Sequence, residues 1–263
     1  MNKAEIANHH VNEMDVLANK DTPIHQLSAL SKLIVTIVYI LFVMSFPKYS
    51  FSYVLSMALY PYLLFLISGH SFFTCIKKIR FILPLIIFVG IFNPILDKRE
   101  YLGFLTYGWM AFFVLLLKGF LAICASYLLI STTKIDDLCA AMRSLHIPEI
   151  LVTNILLTYR YISLLIQEVS IMLDAYHLRA PNQKGIAYQA WGSFVGNLLL
   201  RASDRAKEIY DAMELRGYNG EFYYAKKTKI TKNDIFYIIG MILFFYIARK
   251  YPLFIMIGNI FVR

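Results

Sequence analysis

Residues 109–130 read WMAFFVLLLKGFLAICASYLLI, an apolar run whose one charged residue is Lys118. A helix needs about 20 consecutive apolar residues to cross the hydrocarbon core of a bilayer. The run therefore predicts a transmembrane helix. The composition of the whole chain agrees, because 59% of its 263 residues are hydrophobic and only 16% are charged, whereas soluble domains carry about 25% charged residues.

Four more apolar runs complete the predicted membrane part. The third run is short and contains Pro84 and Pro94, so we expect a kinked or tilted span there. Residues 29–130 hold four of the predicted transmembrane helices, and the chain is predicted to be an all-α membrane protein with about five spans. The predicted spans are residues 29–46, 51–68, 81–96, 109–130 and 235–261.

Basic residues indicate how these spans are oriented. Lys77, Lys78 and Arg80 precede the third span, and an excess of Lys and Arg is typical of cytoplasmic connections. We therefore expect the connection between the second and third spans to be cytoplasmic, together with residues 1–28 and 131–234. The last segment, residues 235–263, would then carry the C-terminus outward.

The formal net charge of +9 does not indicate a nucleic-acid partner. Most of the basic residues flank the apolar spans, where Lys and Arg face anionic lipid headgroups. We expect the lipid bilayer, and no nucleic acid, to be the partner of these charges.

Residues 131–234 read as a coupling section of amphipathic helices. A short helix is predicted over 136–145 and a long one over 149–179, each ending before a proline. On the long helix, apolar residues recur at steps of three and four and share one face: Tyr161, Leu165, Val169, Met172 and Tyr176.

A second amphipathic stretch follows in the same section. Residues 187–200 are apolar, and we expect them to touch the membrane. Gly217 is expected to end the helix that follows. Its apolar stripe consists of Ala202, Ala206, Ile209 and Met213.

One seven-residue pattern occurs twice in the coupling section. Residues 174–180 read DAYHLRA and residues 211–217 read DAMELRG, and each copy ends a predicted helix. Arg in the last turn of a helix is stabilised by the helix macrodipole by about 0.3–1 kcal/mol, which would explain the pattern without any partner. The other interpretation places each Arg in an acidic or carbonyl-lined groove on a partner, where its planar fork makes several hydrogen bonds at once.

With this pair of motifs, the chain resembles the transmembrane T component of energy-coupling factor (ECF) transporters, the family that includes CbiQ. The similarity runs over nearly the whole chain, including TPIHQL at residues 22–27 and TYRY at residues 158–161. Family members carry two short Ala-Arg-Gly-like motifs at the ends of long cytosolic coupling helices. Here both triplets begin with Leu, the first ends with Ala in place of Gly, and residues 28–30 read SAL where members often have Asp-Pro-Arg.

The resemblance implies a function and a set of partners. In the family, the motif Arg residues insert into grooves on two ABC-type ATPase subunits, which bind ATP and Mg²⁺, while a separate membrane subunit, the S component, binds the solute. The chain is then a non-catalytic scaffold of the cell membrane that transmits ATP-driven motion to the S component and has no catalytic, cofactor-binding or metal site of its own. The residues expected to dock the ATPases are Leu178, Arg179, Ala180, Leu215, Arg216 and Gly217.

The resemblance also bears on the solute. Residues 14–18 read MDVLA and resemble the cobalt-type members, which implies uptake of cobalt or nickel. A T component shared among vitamin transporters of the riboflavin, biotin or folate type is the alternative. A self-sufficient secondary transporter is a weaker alternative, because such proteins usually show ionisable residues at mid-membrane and a repeat among their spans.

Other chemical signatures are few. The sequence contains no phosphate-binding Gly-x-x-x-x-Gly-Lys-Ser/Thr loop, and its three cysteines and six histidines show no spacing typical of a disulfide framework or a metal site. Lys118 lies within a predicted span, where an ionised residue is usually functional. It could pair with a carboxylate on a partner subunit, or extend toward the membrane interface.

Orientation is the first prediction. We expect single cysteines placed at Asn182 and Asn219 of a Cys-less variant to react with a membrane-impermeant maleimide only in inverted vesicles, because both positions lie in the coupling section. Labelling of either site in intact cells would contradict a cytoplasmic coupling section.

Overall fold

The computed structural model describes residues 18, 22–69, 72–97, 106–181, 185–218 and 231–251, apart from the side chains of residues 73, 78, 79 and 81. The described residues are overwhelmingly helical and contain no strand, which confirms the all-α prediction. They fall into two compact units. The membrane unit contains the described residues up to 134 and those from 231 onward, and the hairpin unit contains residues 135–181 and 185–218.

Ten α-helices lie in the described ranges. Those of the membrane unit are α1 (Ala29–Met44), α2 (Phe51–Met57), α3 (Leu59–Ser68), α4 (Phe72–Gly90), α5 (Phe92–Leu96), α6 (Tyr107–Thr132) and α10 (Lys232–Lys250). Those of the hairpin unit are α7 (Ile135–Ser144), α8 (Glu149–Arg179) and α9 (Trp191–Leu215), the last preceded by a 3₁₀ turn over Tyr188–Ala190.

Three stretches are long and apolar enough to cross a membrane: Phe51–Ser68, Tyr107–Thr132 and Glu149–Arg179. The first two are predicted spans, and shorter apolar helices cover Ala29–Met44 and Ile82–Leu96. The third stretch is α8, which was predicted to lie in the coupling section. By length and composition it is also long and apolar enough to cross a membrane. The predicted last span is described only as far as Tyr251, and its remainder lies outside the described residues.

One predicted connection is wrong. Lys77 and Arg80 do not lie in a loop, because α4 begins at Phe72 and contains both. The reason is local: Lys and Arg are good helix formers, and the next proline, Pro84, comes only after them. The chain reverses instead near Gly69, which has the left-handed φ of 63° that glycine adopts without steric cost.

Prolines explain where two spans are interrupted. Pro61 has no N–H for the carbonyl four residues earlier, and the break between α2 and α3 falls there, at Met57 and Ala58. The orphaned Met57 carbonyl accepts a hydrogen bond from the Tyr39 hydroxyl at 3.0 Å. Pro94 acts in the same way on Gly90, where α4 ends before α5 begins, so the expected irregularity of the third span is confirmed.

Two lysines show that α1 and α6 are antiparallel. The Lys32 ammonium, near the start of α1, donates to the carbonyl of Thr132 at the end of α6, at 2.7 Å. Lys118 donates to the carbonyls of Phe46, at 2.6 Å, and Met44, at 3.3 Å, at the end of α1. Lys118 therefore bonds to carbonyls of its own chain at the end of α1, where the last carbonyls of a helix have no partner within the helix.

Helix α10 runs parallel to α1. At their starts, Asp234 accepts a hydrogen bond from the Ser28 amide at 2.8 Å. At their ends, Arg249 donates to the Ser45 hydroxyl at 3.0 Å, and its guanidinium lies over the Phe42 ring. Five predicted spans that cross in alternating directions would have the first and fifth parallel and the fourth antiparallel to both. Helices α1, α10 and α6 have these directions.

The core of the membrane unit is aromatic where these helices meet. The ring centroids of Tyr39, Tyr60 and Phe245 lie 4.5 to 5.3 Å apart, within the range in which aromatic pairs attract. The sulfur atoms of Cys75 and Cys124 are 3.7 Å apart; both side chains are buried, and neither forms a disulfide. Their linear spacing gave no sign of this contact, which arises only from the packing of α4 against α6.

Close packing at Gly108 gives a stability prediction. A Cβ added there would lie 2.6 Å from the Asp97 carbonyl oxygen and 2.7 Å from Pro94 Cα, and neither backbone atom can move aside cheaply. We expect Gly108→Ala to destabilise the protein by about 1–3 kcal/mol through overpacking. Thermal unfolding in one detergent is the measurement.

The matched control is Gly240→Ala. A Cβ at Gly240 meets nothing within 4 Å, so this change should stabilise α10 by up to about 1 kcal/mol through helix propensity. An unfolding midpoint for Gly108→Ala at or above that of the native protein would contradict the packing at α5 and α6.

Candidate functional site

The hairpin unit holds both copies of the repeated motif. Helices α8 and α9 lie side by side and run antiparallel. An interhelical ion pair joins Glu168 to Arg201 at 3.0 Å. Residues before Glu168 on α8 line an apolar groove together with residues after Arg201 on α9, as two antiparallel helices require. At the connected end of the hairpin, the Tyr176 hydroxyl accepts from the Ala187 amide at 3.0 Å.

The first motif ends α8. Arg179 is the last helical residue and Ala180 is its C-cap, with φ −132°. The Ala180 amide still donates to the Tyr176 carbonyl at 3.0 Å, and Pro181 then prevents another helical turn. Ala in place of Gly is therefore tolerated at residue 180, because the backbone there is not left-handed.

The second motif ends α9 differently. Gly217 has φ +85°, its amide donates to the Glu214 carbonyl, and the Tyr218 amide donates to the Met213 carbonyl at 3.0 Å. This pair of bonds is the Schellman motif, which favours glycine at the left-handed position. The prediction that Gly217 ends the helix is confirmed, while residues 219 and 220, which were expected to help, lie outside the described residues.

Both motifs present exposed side chains. Leu178 is 84% exposed and Leu215 is 90% exposed, and the side chains of Arg179 and Arg216 are exposed as well. Within the part of the chain that the structure describes, neither guanidinium forms an ion pair. Each motif therefore places a large exposed apolar side chain beside an exposed guanidinium at the end of a helix.

The two motifs lie at opposite ends of the hairpin. Arg179 is at the connected end, whereas Arg216 follows α9, which has 25 residues. At a rise of 1.5 Å per residue, α9 is about 37 Å long. The two arginines are therefore separated by roughly the length of α9, which is too far for both to enter one groove.

An apolar groove of about 400 Å³ runs between α8 and α9. Both predicted stripes contribute to it, through Tyr161 and Leu165 on one side and Ile209 and Met213 on the other, so the faces predicted from periodicity are confirmed there. Tyr218 also lines it. That residue was missed, although the Schellman motif places the residue after its glycine against Met213.

Two other expectations about this unit are now clear. The predicted helices 136–145 and 149–179 are confirmed as α7 and α8, the latter with the same bounds. Most of residues 187–200 belong to the same helix as the second stripe, because α9 begins at Trp191 and continues to Leu215; their contact with the membrane stays a prediction.

Helix α7 packs against the start of α8. Cys139 is buried with Val152 and Leu156, and Arg143 pairs with Glu149. The helix ends in a second Schellman arrangement, in which His146 takes the left-handed position with φ 62° and the Ile147 amide donates to the Met142 carbonyl. This compact corner fixes the angle at which α8 leaves α7.

No group of three His, Cys, Asp or Glu side chains that could hold a metal ion occurs among the described residues. The described residues of the hairpin unit thus show two exposed helix ends, at Leu178–Ala180 and Leu215–Gly217, and an apolar groove between α8 and α9.

Comparison with known proteins agrees with this arrangement. A family model described as cobalt transport protein, CbiQ, matches residues 20–228. The nickel permease LarQ of Lactiplantibacillus plantarum is 34% identical over 91 residues, which make up 35% of this chain and 33% of LarQ. The cobalt transport protein CbiQ of Rhodobacter capsulatus is 30% identical over 94 residues, which make up 35% of this chain and 38% of that protein.

The alignments with these two relatives span well under half of either protein, but the family model spans most of this chain, from within the N-terminal segment through the second motif. The helical membrane unit and the hairpin unit both lie largely within the matched range. The chain belongs to the CbiQ family of cobalt transport proteins.

Proposed function

We propose that this chain is the transmembrane coupling subunit of an ECF-type importer. Two ABC-type ATPase subunits bind the tips of the hairpin unit, and a substrate-binding S component sits beside the chain in the membrane. The chain carries out no chemistry itself. Its task is to convert the movement of the ATPases into movement of the membrane part.

The observation that carries the proposal is the pair of exposed arginines at opposite ends of one helical hairpin. A separation of roughly the length of α9, about 37 Å, suits two partner subunits, one for each tip. When a pair of ATPases closes on ATP and opens after hydrolysis, the two tips are displaced, and the rigid helices carry that displacement along the hairpin.

The chemistry of the motif suits such a contact. Arg remains protonated, presents a planar set of donors, and can satisfy several acceptors in one groove. The adjoining leucines, Leu178 and Leu215, supply apolar area that is otherwise left in water. Burial of a Leu side chain is worth about 1.5–3 kcal/mol, so each tip combines a specific polar contact with an apolar anchor.

The groove between α8 and α9 is proposed as a surface for the S component. Its lining is apolar apart from a few polar groups such as Arg205 and the tyrosines, which suits a hydrophobic membrane subunit. The hairpin unit would then contact the ATPases at its tips and the S component along its side, which is the arrangement that a coupling element requires.

The solute is proposed to be a divalent cation of the cobalt and nickel type. The family model is described as cobalt transport, and the named relatives are a nickel permease and a cobalt transport protein. In this proposal, the S component selects the ion.

The two arginines give the sharpest test. Removing one side of a buried charged contact costs about 2–5 kcal/mol, because the acceptors on the partner are left unpaired. We expect Arg179→Ala and Arg216→Ala each to weaken ATPase binding by about 30-fold or more and to abolish transport, and the double variant to release the ATPases. Lys should rescue only partly, since an ammonium lacks the fork. Pull-down of the ATPases and uptake in the same membranes are the measurements.

The matched control for this test is Lys207→Ala, which removes an exposed cation from α9 away from the tip. It should leave both readouts unchanged. Normal assembly and uptake in the Arg179→Ala/Arg216→Ala double variant would show that the repeated motif serves only the helix ends.

A second test concerns the solute. We expect proteoliposomes that contain the full complex to accumulate labelled Co²⁺ or Ni²⁺ in an ATP-dependent manner, and this chain alone to bind neither ion tightly. Uptake of riboflavin, biotin or folate in place of the metals would refute the proposed solute, while leaving the coupling role intact.

A further inference from the structure

The chain passes from the membrane unit into the hairpin unit at the end of α6, and both α6 and α10 are bonded to the start of α1. It leaves at the end of α6, where Thr132 is the last helical residue and Ile135 already begins α7 of the hairpin unit. It is described again from Thr231, the N-cap of α10. Thr132, and Asp234 in the first turn of α10, are each bonded to residues 28–32, the N-cap and first turn of α1.

Lys32 is bonded to the end of α6, where the chain leaves the membrane unit. Its side chain is only 5% exposed, and its ammonium donates to the Thr132 carbonyl at 2.7 Å. That carbonyl is among the last four of α6, which have no partner within the helix. The bond therefore ties α1 to the residue after which the chain turns into the hairpin unit.

Asp234 bonds the start of α10 to the start of α1. It is 2% exposed, and its two carboxylate oxygens accept from the Ser28 amide and the Thr231 amide, both at 2.8 Å. The Ser31 hydroxyl lies 3.1 Å from the same carboxylate. One buried side chain thus caps α10 and joins it to the N-cap residue of α1.

The hydrogen bonds around Asp234 keep its carboxyl group ionised. Burial by itself would raise the pKa of the carboxyl group, but the hydrogen bonds from the Ser28 and Thr231 amides and from Ser31 hold that pKa below its ordinary value. The group is therefore a carboxylate at neutral pH, and bonds to a charged acceptor are roughly twice as strong as neutral ones.

We propose that Lys32 and Asp234 are positioning residues for energy coupling, and that the first turn of α1 is the joint through which movement of the hairpin unit reaches the membrane helices. The proposal rests on the coupling function proposed above. A force on the hairpin unit can act on the membrane unit through the two chain crossings. Because Lys32 bonds this turn to the end of α6 and Asp234 bonds it to the start of α10, we expect α1, α6 and α10 to move together.

The chain supplies a matched control in Lys118. This residue is also a buried lysine, 8% exposed, and it also donates to the terminal carbonyls of a helix. It joins the same two helices, but at the end of α1 that is remote from the crossings. Lys32→Met and Lys118→Met therefore both remove bonds from a buried ammonium to main-chain carbonyls, and only the first lies at the end of α6 where the hairpin unit begins.

The experiment uses the complete complex in proteoliposomes and measures Co²⁺ or Ni²⁺ uptake, whichever the native complex transports, together with ATP hydrolysis, ATPase pull-down and the unfolding midpoint. We expect Lys32→Met to bind the ATPases and hydrolyse ATP, while uptake per ATP hydrolysed falls by about tenfold, within the usual range of coupling between sites. Lys32→Arg should restore part of the ratio. Lys118→Met should lower the unfolding midpoint but leave the ratio unchanged.

Asp234→Asn, which is nearly isosteric, provides an independent second variant and is expected to lower the ratio in the same way. An unchanged ratio in Lys32→Met overturns the proposal, as does an equal fall in Lys118→Met. If Lys32→Met does not assemble, an unchanged ratio in Asp234→Asn overturns it. Failure of the native chain to bind ATPases at all would instead refute the coupling function, so the two outcomes are distinguishable.

Discussion

Main-chain carbonyls without a helical partner are the constraint on which the membrane unit depends. In a bilayer no water is available to accept or donate at a broken helix or a helix end, and each unsatisfied group costs several kcal/mol. Three side chains supply the missing donors: Tyr39 at the break made by Pro61, Lys32 at the end of α6 and Lys118 at the end of α1. Because each donor comes from another helix, satisfying the backbone also fixes how the helices are arranged.

This arrangement explains why two buried lysines occur among the apolar helices of the membrane unit: each donates to main-chain carbonyls of another helix. A long aliphatic stem lets each ammonium reach a main-chain oxygen while the methylene groups stay among apolar neighbours. Lys118 was open to interpretation as a partner contact, and its bonds to Met44 and Phe46 assign it to the internal framework instead.

The hairpin unit follows the opposite rule. Beside its internal ion pairs, it has exposed arginines and leucines at both tips and an open apolar groove between α8 and α9. Large exposed apolar side chains in a compact unit usually mark an interaction site. The exposed tips and the groove are therefore the surfaces of the hairpin unit on which the proposed contacts depend.

The sequence by itself determined the class of protein, the bounds of α8, the apolar faces of the hairpin and the two motifs, because these depend on composition and on periods of three and four residues along one helix. The sequence-based prediction that Lys77 and Arg80 lie in a loop is wrong. Clustered Lys and Arg residues are typical of the loops between spans, and the sequence pattern did not show that α4 begins before them. Only the tertiary structure decided which carbonyls Lys32 and Lys118 reach, that Cys75 meets Cys124, that Asp234 joins two helix starts, and that the repeated arginines lie at opposite ends of a hairpin. These are contacts between residues far apart in the chain, and they depend on helix direction and packing, which no local pattern encodes.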